Sequence, residues 1–268
     1  MKDKVVVITG ATSGIGKALA YEFAGKGSIV VICGRSLDKL KEIAADLESR
    51  RCQVTYVQTD VSIEKDCEKL INTAVEKHGK IDILINNAGI SMRAVFEDSD
   101  LDVIRRVMNI NFWGTVYCTK FALPFIIKEK GSIVGISSVA GITGLPGRSG
   151  YSASKFAING FLQCVRMENL KKDIHVLVAY PGFTATNIRR SSLTGNGQPQ
   201  GESPRVEEKM MTSEEVARHI YKAIIKRKKN LVLTAEGKVT SLLNKFFPDR
   251  MDSILYKIMA KEPDSPFK

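Results

Sequence analysis

Through the first 180 residues, short apolar, β-branched runs alternate with longer segments that carry a helical stripe. The runs are KVVVIT, SIVVIC, QVTYVQ, IDILIN, SIVGIS and HVLVAY. Short strands of continuous apolar residues are what a sheet buried on both faces requires. Between the second and third runs, LDKLKEIAADLES (37–49) sets Leu37, Leu40, Ile43, Ala44 and Leu47 on one side of a helix. Strand–helix alternation of this kind predicts an α/β fold, a parallel sheet wrapped by helices on both faces.

The pattern breaks after about residue 186. SSLTGNGQPQGESPR (191–205) is rich in Ser, Gly, Gln and Pro, the composition of a functional lid or a disordered stretch. TSEEVARHIYKAIIK (212–226) then predicts a helix, capped by Thr212 or Ser213, with Glu214 and Glu215 in its first turn. NLVLT reads as a last strand, followed by a tail with the apolar clusters SLLNKFF and MDSILYKIMA. Neither a repeat nor a linker interrupts the chain, so residues 1–268 form one domain: a core over 1–186, a substrate loop over 187–211 and a C-terminal part over 212–268.

Composition narrows the class. The chain is 44% hydrophobic and 26% charged, as expected of a globular protein, and no apolar run approaches the ~20 residues of a membrane span. MKDKVVVITG runs straight into a strand without the apolar region of a signal peptide, so a cytoplasmic protein is expected. Cys33, Cys52, Cys67, Cys118 and Cys164 form no CxxC pair, and His78, His175 and His219 are far apart, so neither a disulfide framework nor a metal site is expected. The net charge of +11 is compatible with nucleic acid, an anionic membrane surface or an anionic small ligand. Its densest run, KRKKN (226–230), falls where a helix should end, a place that suits cations, and no aromatic residues interleave it. No nucleic-acid partner is expected.

TGATSGIG (9–16) turns the first strand into the first helix, with Gly10, Gly14 and Gly16 at the turn. Without Cβ atoms, such a backbone approaches a pyrophosphate on the helix N-terminus closely. The spacing is GxxxGxG rather than GxGxxG, so a tight turn and a phosphate cradle both remain open on the glycines alone. After the second strand, where an acidic residue would bind the ribose of NAD, the chain has Gly34, Arg35 and Ser36. A guanidinium beside a hydroxyl suits a 2′-phosphate, which favours NADP(H); the plainer role is a solvent-facing Arg beside a helix cap.

TGATSGIG, NNAG (86–89), NINFWG (109–114), ISS (136–138), YSASK (151–155) and PGFTAT (181–186) occur together and in order. Over residues 4–186 the chain resembles the short-chain dehydrogenase/reductase family. The resemblance implies a single-domain, doubly wound Rossmann-type sheet of about seven parallel strands and a nicotinamide cofactor. It places the catalytic tyrosine at Tyr151, the lysine at Lys155, the serine at Ser138, thirteen residues before the tyrosine, and the supporting asparagine at Asn111. Reduction of a ketone by hydride leaves an alkoxide that needs a proton. Tyrosine, near pKa ~10, needs a nearby cation to serve at neutral pH, and Lys155 lies one helical turn on. Ser138 would hydrogen-bond the substrate oxygen, and Asn111 would hold a water linking Lys155 to solvent. For the cofactor, the resemblance implies Thr12, Ser13 and Ile15 alongside the three glycines, with Asn87, Ala88 and Gly89 beside the adenosine ribose. Asn86 is read as structural. Asp60 with Val61 meets the adenine, though Asp60 equally suits a helix cap. Pro181, Gly182, Thr184 and Thr186 flank the nicotinamide.

The same resemblance places a substrate lid over 187–211. KFFPDRMDSILYKIM (245–259) is similar to extended C-termini of the 11β-hydroxysteroid dehydrogenase-like and 3-ketosphinganine reductase-like branches, whose substrates are lipid-like ketones. There Phe246, Phe247, Ile254, Leu255, Ile258 and Met259, flanked by Lys245, Arg250, Lys257 and Lys261, form a basic amphipathic segment. It suits packing on the domain or on a second subunit, or peripheral contact with a membrane surface. The expected protein is an NADPH-dependent reductase of a hydrophobic ketone or aldehyde. A 3-oxoacyl reductase, a polyol or alcohol dehydrogenase, and a catalytically silent nucleotide-binding protein are the alternatives. A homodimer or homotetramer is expected, with Phe156 and Phe161 at an interface.

Overall fold

The computed structural model describes residues 1–203 and 210–267. Seven strands form one parallel sheet: β1 (Val5–Ile8), β2 (Ile29–Gly34), β3 (Val54–Gln58), β4 (Ile83–Asn86), β5 (Ser132–Ile136), β6 (His175–Tyr180) and β7 (Asn230–Val232). Their spatial order is β3-β2-β1-β4-β5-β6-β7. The order reverses between β1 and β4, and in open α/β sheets ligands bind beyond the carboxyl ends of the strands at such a switch point.

The strands are apolar throughout because each side feeds a separate core. Val6, Ile8, Val30, Ile32, Ile83, Ile85, Val134, Ile136, Leu177 and Ala179 face one way, onto α1 (Gly14–Gly25), α2 (Leu37–Ser49) and α7 (Ser213–Ile225). Val5, Val7, Val31, Cys33, Leu84, Ile133, Val176 and Val178 face the other, onto α3 (Glu64–His78), α5 (Gly114–Lys128) and α6 (Ser149–Glu168). The 37–49 stripe behaves as its period requires: Leu40, Ile43, Ala44 and Leu47 are buried, and Leu37 is half-buried at the helix start. Thr212 proves to be the cap of α7, in a capping box in which its hydroxyl accepts from Glu215 N and its own N–H donates to the Glu215 carboxylate at 2.8 Å. The basic run 226–230 lies in the turn from α7 to β7, where Arg227 donates to the Asp173 carbonyl at 2.6 Å and to its carboxylate at 2.9 Å. His175 is a core residue, bonded to Ser132 Oγ and the Lys228 carbonyl, and all five cysteines are free.

Asp82, just before β4, ties that strand to β1. Its carboxylate accepts from Lys4 Nζ at 2.7 Å and Val5 N at 2.9 Å, with Lys80 Nζ at 3.1 Å. Burial pushes its carboxyl up, but the bonds from Lys4, Val5 and Lys80 outweigh that and hold it below the usual carboxylate value. A depressed folded pKa means that stability is present above the unfolded value of about 3.9 and is lost as pH falls through the folded value. Asp82→Asn is expected to cost about 1–3 kcal/mol at pH 7, and the difference from the parent should close in acid below the folded value. Denaturant melts at the two pH values check this.

A continuous helix crosses one face: α4 (Leu101–Met108), a π-helical turn at Asn109–Trp113, then α5. After β7 come α8 (Ala235–Phe246) and α9 (Pro248–Ala260). Met251, Leu255 and Met259, one turn apart, are buried against the domain. Phe246 (62% exposed), Phe247, Ile254 and Ile258 point outward. The tail's apolar residues thus divide between two faces, because a helix puts i and i+4 on one side. Among the described residues no helix is long and apolar enough to cross a membrane.

Candidate active site

β1 ends at the switch point, and its next residues are tied across to β4. Thr9 Oγ1 accepts from Asn87 N and Ala88 N, each at 3.0 Å, while Asn87 Nδ2 donates to the Thr9 and Gly10 carbonyls at 2.9 and 3.1 Å. Gly10 has φ +65°, and a Cβ there would sit 2.8 Å from Ala88 Cα, so no other residue fits without backbone movement. At the start of α1, Ser13 makes no side-chain cap and the first turn holds no acidic residue. The helix therefore presents open N–H groups and its positive end, with Gly14 closing on Thr186 across the turn. These residues fit a dinucleotide pyrophosphate.

At the end of β2, a Cβ on Gly34 would lie 2.7 Å from Thr12 Cγ2, so any side chain at 34 would have to push the Thr12 side chain aside. Arg35 is exposed, its carbonyl held by Gln58 Nε2 at 2.9 Å. Ser36 faces Lys39 N at 3.5 Å as the cap of α2. Asp60 turns its carboxylate onto Ser62 N and Oγ, at 3.0 and 2.7 Å, in a turn ahead of α3; it does not cap that helix, whose first flanking residue is Ile63. Val61 is buried against Gly114.

Asn111, Ser138, Tyr151 and Lys155 converge from three elements. Ser138 follows β5; Tyr151 and Lys155 share a face of α6, with Lys155 Nζ 5.6 Å from the Tyr151 ring centre. Lys155 Nζ donates to the Ile136 carbonyl at 2.8 Å. Asn111 lies in the π turn, a feature frequent at functional sites. Its amide hydrogens go to the Ile90 carbonyl and Ser154 Oγ, both at 2.9 Å, and its oxygen accepts from Ile90 N at 2.8 Å. Ser154 in turn donates to the Tyr151 carbonyl at 2.7 Å. Asn111 Oδ1 and Lys155 Nζ approach the same point above Gly89, where a Cβ would lie 3.2 and 3.4 Å from them. The asparagine therefore clamps the chain after β4 to α6, with its oxygen on the side of Lys155.

Burial pushes the Tyr151 phenol up; a hydrogen bond with Ser138 and the Arg148 guanidinium pull it back in part. Burial also lowers Lys155 to about 8. Lys155, the lysine named from sequence, stands 5.6 Å from the ring, and Arg148 at the start of α6 adds a second positive charge that favours the phenolate. Tyr151, like Ile90 and Ile104, packs against a buried cluster of Met92, Val103, Val107 and Leu193, an apolar wall. Leu193 belongs to the 187–211 loop and bridges to Met92 and Pro199; the lid expectation also covers 204–209, which lie outside the described residues. Pro181 is buried with its carbonyl on Val139 N, Gly182 abuts Thr234, and Arg189 donates to the Thr184 carbonyl at 2.8 Å. Thr9 and Ser154 sat inside recognised motifs without a role; Arg148 carried no local signal at all.

Residues 4–196 match the family model described as short chain dehydrogenase. The chain belongs to the short-chain dehydrogenase family. Among curated short-chain dehydrogenases it is 41% identical over 240 residues to Dehydrogenase/reductase SDR family member 7B of Xenopus laevis, covering 87% of this chain and 74% of that one. It is 35% identical over 274 residues to 11-beta-hydroxysteroid dehydrogenase A of Sesamum indicum, covering 99% and 78%. The similarity to the 11β-hydroxysteroid dehydrogenase-like branch is thereby borne out. Of solved structures, a short-chain dehydrogenase/reductase from Burkholderia phymatum in complex with NAD superposes with a TM-score of 0.82 at 23% identity, covering 93% of this chain and 95% of that one. An alcohol dehydrogenase from Thermococcus sibiricus complexed with 5-hydroxy-NADP gives 0.77 at 24%, covering 87% and 96%. Both likenesses support the fold.

Proposed function

We propose that this short-chain dehydrogenase uses NADP(H) to interconvert a hydrophobic ketone or aldehyde and its alcohol, with Tyr151 as acid and base. The convergence of Ser138, Tyr151 and Lys155 beside the glycine turn carries this reading. The cofactor supplies or accepts the hydride. In reduction, Tyr151 donates its phenolic proton to the carbonyl oxygen as the hydride reaches carbon, and Ser138 steadies that oxygen. Lys155, held by the Ile136 carbonyl, stabilises the phenolate left behind. The apolar wall of Met92, Ile104 and Leu193 excludes water and favours a lipid-like substrate. A panel of ketones with NADPH and NADH tests this: long-chain or polycyclic ketones are expected to turn over faster than short polar ones, and the opposite preference overturns the substrate class.

For the cofactor, the closed position at Gly34 and the exposed Arg35 support a 2′-phosphate. Arg35→Ala should weaken NADPH relative to NADH by roughly ten- to a hundredfold, the worth of one charge-assisted hydrogen bond. Binding titrations with both nucleotides measure it. The outward face of α8 and α9, with Phe246, Phe247, Ile254 and Ile258 beside Lys245, Arg250 and Lys257, favours peripheral contact with a membrane surface. Exposed Trp113 and Phe156 on the outer faces of the π turn and α6 favour a homo-oligomer.

A further inference from the structure

Beyond α9 the chain doubles back, and residues 261–267 reach two loops: the chain after β4 and the turn before α6. Glu262 is buried there, with its carboxylate 3.2 Å from Arg148 Nη2 and 3.6 Å from Arg93 Nε. Arg93 also donates to the Pro263 carbonyl at 2.6 Å. Pro266 and Phe267 come within 3.3 and 3.2 Å of where a Cβ on Gly147 would stand, and the Phe267 ring meets that of Tyr256 on α9 at 5.4 Å. Burying a carboxylate is costly unless charged partners meet it, and such a cluster adds little over apolar packing; what it does impose is an exacting geometry. Here one carboxylate fixes two guanidiniums from separate loops.

Those loops in turn hold the 187–211 loop. Arg93 N donates to the Leu193 carbonyl at 2.8 Å, and Leu193 N donates to the Ser91 carbonyl at 2.9 Å. Ala94 N donates to the Gly147 carbonyl at 2.9 Å, which ties the two loops under the tail to each other. Leu193 is thus fixed from both sides by the chain after β4, and its side chain is buried with Met92 in the wall against which Tyr151 packs. Arg93 is the shared link, its side chain engaged by the tail and its main chain by Leu193. We propose that Glu262 is a positioning residue: through Arg93 it fixes the chain after β4, and with it Leu193, so that the segment after α9 sets the shape of the apolar wall. This rests on the proposed function, in which that wall receives the substrate. The residues that fit the nucleotide stand on the glycine turn and at the end of β2, so the tail acts on substrate binding and leaves the cofactor untouched.

The test pairs amide hydrogen exchange of the full chain with steady-state kinetics on a polycyclic or long-chain ketone. Glu262→Gln should speed exchange at the Arg93, Ala94 and Leu193 amides by roughly tenfold or more while β1, β4 and β5 exchange as in the parent. The ketone KM should rise by about three- to tenfold, with kcat changed by less than about twofold and NADPH affinity unchanged. Glu262→Asp, which keeps the charge, should recover part of both effects. Phe267→Ala keeps the ion cluster and frees only the end of the tail; it should loosen the Ala94 amide by less, and it carries the test if Glu262→Gln does not fold. Unchanged exchange at the three amides, exchange raised evenly across the sheet, or faster exchange with an unmoved ketone KM each overturns the inference. Exchange needs no turnover: if no ketone is reduced, the proposed function fails, and protection at Leu193 still decides the link from Glu262 to the wall.

Discussion

Tyr151→Phe is expected to lower turnover roughly a thousandfold or more in both directions while leaving the fold and nucleotide affinity intact. Only one hydroxyl is lost. The ring that packs on the cluster of Met92, Val103, Val107 and Leu193 stays, and the Tyr151 carbonyl still accepts from Ser154. What disappears is the proton that must reach the carbonyl oxygen as hydride arrives, and no other group on α6 is placed to give it. The raised pKa of the phenol sets the pH dependence of the parent enzyme. Reduction should be nearly level through neutral pH, because the acid form persists, while oxidation should climb with pH toward the phenol's value. Steady-state rates in both directions, with fluorescence titration of the reduced cofactor, check the loss and its confinement to chemistry. Wild-type turnover by the variant would overturn Tyr151 as the proton donor.

Lys155→Ala should cut turnover by roughly a hundredfold and also weaken cofactor binding, because under the proposed function the cation would stabilise the phenolate and help to hold the nicotinamide ribose. A second signature separates this residue from a structural one. Burial lowers Lys155 to about 8 in the folded chain, against about 10.5 when unfolded. Between those values the unfolded state holds more protons, so stability contributed at this position rises with pH. The parent should gain melting temperature relative to Lys155→Ala across pH 8 to about 10.5, and calorimetry across that window reads it. A pH-independent difference would mean that the lysine is not held charged and buried at neutral pH.

Much of this was legible in the sequence, for physical reasons that also mark the boundary. Continuous apolar runs find both faces of a sheet covered, so all seven strands appear where the pattern puts them, and residues 37–49 form a helix with those bounds. The proximity of Tyr151 and Lys155 was legible because it depends on one helical turn, a local geometry. Asn111 was legible as a motif but not as a clamp: its partners Ile90 and Ser154 lie 21 and 43 residues away. Glu262 was silent, since its partner Arg148 is 114 residues distant and no periodicity links them. The tail read as one amphipathic segment, yet Leu255 and Met259 turn inward while Phe246 and Ile258 turn outward. Which side of an apolar helix meets the domain is decided by what the domain offers, and that lies elsewhere in the chain.

The π turn at Asn109–Trp113 also limits how this chain tolerates editing. A wider turn amounts to one residue inserted into an otherwise regular helix. Deleting one of those five residues should let α4 and α5 fuse into a regular helix whose halves keep their faces, because the wide turn is what absorbs the extra residue. Val103 and Val107 would stay in the apolar wall, while the Asn111 amide would be drawn off Ile90 and Ser154. A single-codon deletion here should therefore harm turnover far more than it harms the fold. Substitutions within the turn that preserve its length should be comparatively benign at every position except Asn111.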